Sequence, residues 1–140
     1  MQLAAVENIL GGKKTLHKRI QSRMDFINLR VTKNALMHLA KAMNLPLHKI
    51  AKFLPVTMRT VQRYKSQDRF NKAVSEHILL IAEVVAKGIR LFGDRDNFLK
   101  WLNYPCKALG NQVPINLLDS KVGLDIVSEE LVRMEYGDIA

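Results

Sequence analysis

The sequence predicts an all-α fold, a helix-turn-helix domain followed by a small helical domain, on three observations. Apolar residues recur every three or four positions along most of the chain, β-branched residues are too scattered to form alternating strands, and the gaps between periodic stretches carry helix caps and stops. With 140 residues and 48% hydrophobic content, the chain can bury one sizeable core or two small units sharing an interface. The punctuation divides it into a helical arm over 1–30, a helix-turn-helix domain with a long connecting helix over 31–93, and a compact helical segment over 94–140.

Taken in order, Gly11-Gly12 separates a short apolar segment from a second one in which Leu16, Ile20, Met24 and Ile27 form one helix face. Thr32 is an N-cap for the next helix, whose stripe Leu36, Leu39, Ala40 and Met43 faces inward, with Lys33 and Lys41 pointing elsewhere and Asn44 as the stop. Two short helices follow at 47–53 and 57–65. A long amphipathic helix over 74–92 then carries Ile78, Ile81, Ala82, Val85, Ile89 and Phe92 as core or dimer seam, closed by Gly93. Asp96 caps a helix to Asn103 bearing Phe98, Leu99, Trp101 and Leu102, and Pro105 breaks the chain. Gly110-Asn111 supplies a turn, Pro114 opens a short helix, Asp119-Ser120 caps the last helix and Gly137 ends it. On that helix Val122, Ile126, Val127, Leu131 and Met134 read as one face, and Asp125, Glu129, Glu130 and Glu135 as the other.

Charge divides the chain more sharply than its net +9 conveys: residues 1–100 hold 19 Lys+Arg against 7 Asp+Glu, and 101–140 hold 3 against 6. A polyanionic partner is expected for the first part and a different partner for the second. No apolar run is long enough to span a membrane and Met1–Leu10 lacks the marks of a secretory leader, so a cytoplasmic protein is expected, and the single Cys106 fits a reducing compartment. His17, His38, His48 and His77 are dispersed without ligand spacing, Ser75-Glu76-His77 has no nucleophile motif around it, and no Gly-rich phosphate loop occurs. Neither a cofactor nor catalysis is expected.

Residues Leu47 to Lys65, LHKIAKFLPVTMRTVQRYK, have helix-turn-helix spacing. Ile50 and Leu54 bury the first helix, small Ala51 admits the second, Val56 plugs the turn, and Val61 and Tyr64 anchor the second helix, which Thr57 caps. Met58, Arg59, Thr60, Gln62, Arg63 and Lys65 are left outward, a set rich in donors for double-stranded DNA, and together with Thr57 at the helix start they are the expected DNA-binding residues. Arg59 or Gln62 suits base edges and Arg63 and Lys65 suit phosphates, with Arg69, Lys72, Lys13 and Lys14 extending the phosphate track. An ordinary two-helix hairpin with a solvated basic face is the alternative. Two-fold operators make a homodimer the expected reader. Pro55 cannot take the positive φ that a turn glycine supplies, so a rebuilt turn and a shifted helix angle are expected.

The 47–65 segment resembles the Xre-type helix-turn-helix of bacterial repressors and antitoxins, departing at Pro46 and Pro55. Residues 101–137, WLNYPCKALGNQVPINLLDSKVGLDIVSEELVRMEYG, resemble the toxin-binding domain of the MbcA/ParS/Xre antitoxin family. The landmarks are Trp101-Leu102, Pro105, Leu109-Gly110, Pro114, Leu117-Leu118, Gly123, Leu131, Arg133 and Gly137, while Cys106, Asn111 and Val113 depart from the pattern. The resemblance implies a type II antitoxin that binds a RES-type toxin acting on NAD, by degradation or ADP-ribosylation, in a hetero-oligomer, and that represses its own operon. Arg133, Tyr136, Gly137, Asp138, Ile139 and Ala140 would then bind the toxin by covering or entering a cleft made for an anionic dinucleotide. A stand-alone dimeric helix-turn-helix repressor without a toxin partner is the rival reading.

Overall fold

The computed structural model describes residues 3–12 and 22–137, and the chain divides into two compact units, Met1–Glu83 and Val84–Ala140. Helices account for the regular structure among the described residues, with isolated bridges at Thr32 to Arg69 and Cys106 to Gln112.

In the first unit, α1 (Leu3–Ile9) buries Val6 and is followed by the buried Leu10. In α2 (Arg23–Asn28), Met24 is 64% exposed, against the expectation that it faces inward. A helix of six residues has room for little more than one buried turn, so spacing alone could not assign its face. Leu16, Ile20 and the side chain of Ile27 lie outside the described residues.

Helix α3 (Lys33–Ala42) follows its sequence signals closely. Thr32 Oγ1 accepts from Ala35 N at 3.1 Å, Leu36, Leu39, Ala40 and Met43 are buried, and Asn44 takes a left-handed φ of 56°. The segment 64–70 holds its start: Lys33 N donates to Asp68 O at 2.9 Å, Asn34 N to Ser66 O at 2.8 Å, and Phe70 N to Val31 O at 2.8 Å. Ser75 Oγ accepts from Val31 N at 2.9 Å and donates to Phe70 O, so this buried hydroxyl is satisfied on both sides. Lys33 lies off the buried stripe, as expected, and its ammonium donates to the Tyr64 carbonyl at 2.8 Å. Helix α4 (Leu47–Ile50) passes into a 3-10 turn (Ala51–Phe53), and α5 spans Met58–Arg63.

Helix α6 (Lys72–Phe92) runs through the boundary between the units and stops at Gly93, φ 82°. In the second unit α7 (Arg95–Leu102) is capped by Asp94, whose carboxylate accepts from Asn97 N at 2.7 Å, and not by Asp96. Both acids have the right chemistry, but the chain leaves α6 so tightly at Gly93 that Asp94 already holds the extended backbone a cap needs. Phe98 is fully buried and its ring occupies the space beside Gly88, where a Cβ would stand 2.0 Å from it. Two 3-10 turns, Lys107–Leu109 and Pro114–Leu117, lead to α8 (Lys121–Glu135), capped by Ser120 Oγ on Gly123 N at 3.0 Å. Gly123 is required there, since a Cβ would lie 1.8 Å from the Leu117 carbonyl oxygen.

The last helix corrects the sequence reading twice. Val122 is 70% exposed and Ile126 39%, while Gly123, Leu124, Val127, Glu130 and Leu131 form the buried face. Glu130 belongs with the core, only 6% exposed, and it accepts from Arg133 one turn on. The close approach of the 114–117 turn at Gly123 sets which side of α8 faces inward, and helical spacing carries no trace of that contact.

Candidate nucleic-acid interface and partner-binding unit

The turn before α5 is built without any positive-φ residue. Leu54 is extended (φ −109°, ψ 150°), and Val56 N donates to Leu54 O at 2.8 Å, a three-residue turn centred on Pro55. That inverse γ geometry wants a central φ near −75°, which proline's ring supplies. Thr57 then caps α5: its Oγ1 accepts from Thr60 N at 3.1 Å and donates to Thr60 Oγ1 at 3.0 Å. The Thr57 hydroxyl is therefore committed to the cap, while Thr60 keeps a proton to donate outward.

Val61 is fully buried and anchors α5, a contribution of about 1.5–3 kcal/mol for a side chain of this kind. Tyr64, half-buried, stacks on Phe70 with ring centroids 5.1 Å apart. Its carbonyl takes the Lys33 ammonium, placing a cation at the negative end of the helix. With this anchoring, Arg59, Gln62 and Arg63 are exposed and share one face at i, i+3 and i+4, whereas Met58 and Thr60 are half-buried. Lys65 is exposed but lies beyond the helix, which ends at Arg63.

Around this face, Arg69 spends part of its fork on the Arg30 carbonyl at 2.8 Å, and Lys72 stands exposed in the first turn of α6. Lys13 and Lys14 lie outside the described residues. Sequence reasoning passed over His48, Lys49 and Lys52, all exposed on α4 and its 3-10 extension. Their signal was the inward pair Ile50-Ala51, which leaves both flanks outward.

In the second unit, α6 and α8 are tied by Lys87 Nζ to Ser128 Oγ at 2.8 Å and by the Arg90 to Glu135 ion pair at 2.7 Å. Of the residues expected to bind a toxin, Arg133 is paired with Glu130, Tyr136 is 79% exposed and Gly137 closes the helix at φ 66°. Asp138, Ile139 and Ala140 lie outside the described residues. Among the described residues no group of three or more His, Cys, Asp or Glu side chains is placed to hold a metal ion, and no helix is long and apolar enough to cross a membrane. Divided at the structural boundary, residues 1–83 hold 15 Lys+Arg against 5 Asp+Glu, and 84–140 hold 7 against 8.

Residues 29–83 match the family described as the Antitoxin Xre-like helix-turn-helix domain, and residues 87–137 match the Antitoxin Xre/MbcA/ParS C-terminal toxin-binding domain. The chain belongs to the Xre antitoxin family. Relatives include an "Antitoxin Xre" of Yersinia enterocolitica, 29% identical over 96 residues that cover 67% of this chain and 65% of the relative. Another "Antitoxin Xre", from Photorhabdus laumondii, is 28% identical over 80 residues, 56% of this chain and 54% of the relative. The chain thus spans somewhat under two thirds of the length of these curated relatives. In this Xre family member the first match holds the capped α5 and the second holds α7 and α8.

Proposed function

We propose that this Xre family member is a type II antitoxin that binds and blocks a cognate toxin through its second unit and represses its own operon through α5 of the first. The observation that carries the reading is that two adjoining family matches, a helix-turn-helix ending at residue 83 and a toxin-binding domain starting at 87, fall on parts of unlike charge. Residues 1–83 hold 15 Lys+Arg against 5 Asp+Glu, and 84–140 hold 7 against 8. A basic unit suits phosphates and a near-neutral one suits a protein surface.

On the DNA side, Arg59 or Gln62 reads base edges in the major groove, Arg63 and Lys65 hold phosphates, Thr60 and Met58 contribute at the rim, and Thr57 acts through its cap. The antitoxin would read a two-fold operator as a homodimer with α5 helices about 34–36 Å apart. On the partner side the toxin is of the RES type and consumes NAD, and Arg133, Tyr136, Gly137 and residues 138–140 cover its dinucleotide cleft. The antitoxin supplies no catalytic group, and it acts in the cytoplasm.

Co-expression with the product of the neighbouring open reading frame tests this directly. The account predicts a toxic neighbour whose growth arrest and fall in cellular NAD are both reversed by this chain. A harmless neighbour that forms no complex with it would instead leave a stand-alone repressor. Growth rescue without any NAD loss in the unprotected cells would keep the antitoxin and remove the RES assignment.

A further inference from the structure

The outward face of α8 is unusually apolar for a helix whose opposite side already fills a core. Val122, Ile126, Val132 and Tyr136 are all exposed, at 70%, 39%, 37% and 79%. At about 100° per residue they fall, with Asp125, Glu129 and Arg133, inside an arc of roughly 120°, opposite the buried arc from Gly123 to Leu131. Asp125, Ser128, Glu129 and Val132 line a shallow open depression along the same face. An apolar strip rimmed by polar side chains has the anatomy of a binding surface.

Charge decides what kind of occupant fits. The exposed acids Asp125 and Glu129 stand among the apolar residues, whereas Arg133, the cation of this arc, is paired to Glu130. Nucleic acid is excluded by repulsion. A second copy meeting this face across a two-fold axis would bring acidic strips together, an arrangement that costs affinity. The complementary occupant is a protein surface with an apolar furrow and Lys or Arg side chains along its edges.

Resting on the reading of this unit as toxin-binding, we infer that the Val122–Ile126–Val132–Tyr136 face of α8, with Asp125 and Glu129, is the surface on which the toxin docks. This places most of the binding contact along the length of the helix, while the terminal tail covers the cleft and so blocks the toxin. The face is solvent-exposed in the antitoxin, so substitutions there change binding without removing core contacts.

The test uses the full chain, the purified product of the neighbouring open reading frame, and two variants: Val122→Asp/Ile126→Asp, which breaks the strip, and Asp125→Lys/Glu129→Lys, which inverts its charge. The expected result is a loss of toxin affinity of roughly a hundredfold for the first, as for truncating interface anchors. The second should lose affinity on the order of tenfold, with the loss shrinking as salt is raised. DNA affinity should be unchanged in both, and a wild-type Trp101 fluorescence unfolding curve reports that the second unit remains folded. If wild-type chain binds the toxin and both variants bind it as well, the docking face is overturned while the antitoxin reading stands. A change confined to self-association, read by sedimentation, would assign the face to a second copy and likewise overturn the inference. If wild-type chain does not bind the toxin at all, the antitoxin reading fails and the inference with it.

Discussion

Replacing Gly123 by alanine separates two opposite expectations for α8. Helix propensity alone favours the substitution by about 1 kcal/mol, since glycine is the poorer helix former. The structure predicts the reverse sign. The added Cβ would sit 1.8 Å from the Leu117 carbonyl oxygen and 3.1 Å from Ser120 Oγ, and the first of these is backbone held by the Pro114–Leu117 turn. Relief requires α8 to move off that turn, at a cost typical of overpacking, about 1–3 kcal/mol. The same movement strains the Ser120 cap on Gly123 N, worth about 1 kcal/mol. After the propensity gain, a net loss of about 1–3 kcal/mol remains. Trp101 is the sole tryptophan and lies in the second unit, so urea unfolding followed by its fluorescence reports that unit alone. Ser120→Ala, losing only the cap, should cost about 1 kcal/mol. A Gly123→Ala protein as stable as wild type, or more so, would refute the close-packing argument.

Other substitutions probe the two units separately. Arg63→Ala should weaken DNA binding and lower the slope of log affinity against log salt by about one, as for one lost phosphate contact; an unchanged slope removes Arg63 from the interface. Thr57→Ala leaves Thr60 N without its acceptor and should destabilise the first unit by about 1 kcal/mol, measured as faster amide exchange across α5. Arg133→Ala strips the buried Glu130 carboxylate of its cation. The loss should be on the order of 1–2 kcal/mol by Trp101 fluorescence, less than for a wholly buried pair because Arg133 is half exposed. Adding Glu130→Gln should recover part of it. Deleting 134–140 should abolish neutralisation while Trp101 still reports a folded unit; full protection by the truncated chain would discard the tail contact.

What the sequence made legible follows from the range of the forces involved. Local signals read well: the Thr32 cap, the Leu36 to Met43 stripe, Pro114 at a helix start and Gly93 as a stop each act within a few residues. Local competition blurred others, as where Asp94 and Asp96 both qualify as caps and the backbone path out of Gly93 chose the first. Pro55 announced that the turn must differ, and the γ-turn that solves the problem was beyond inference because it depends on Leu54 leaving the helix with an extended backbone. The outward apolar face of α8 was hidden for a sharper reason. Val122 and Ile126 have the spacing of core residues, but the Leu117 carbonyl packs against Gly123 on the opposite side of the helix, and that contact between a turn and a helix leaves no mark in helical spacing. Glu130 is the converse case, an acid drawn inward by its neighbours, with Arg133 at i+3 as the one sequence hint.

The central claim is that one chain contacts DNA and toxin through different units, so the most direct measurement sets both affinities side by side for one variant. Arg59→Ala/Arg63→Ala removes two exposed cations of α5, a helix of the first unit. Binding of this double variant to its own promoter fragment should fall at least about fivefold, from a loss of roughly 1–3 kcal/mol at a base contact alone. Its affinity for the purified toxin should stay within about twofold of wild type, inside the usual error for independent sites. Unimpaired DNA binding, or a parallel collapse of toxin binding in a folded protein, would contradict the division of labour.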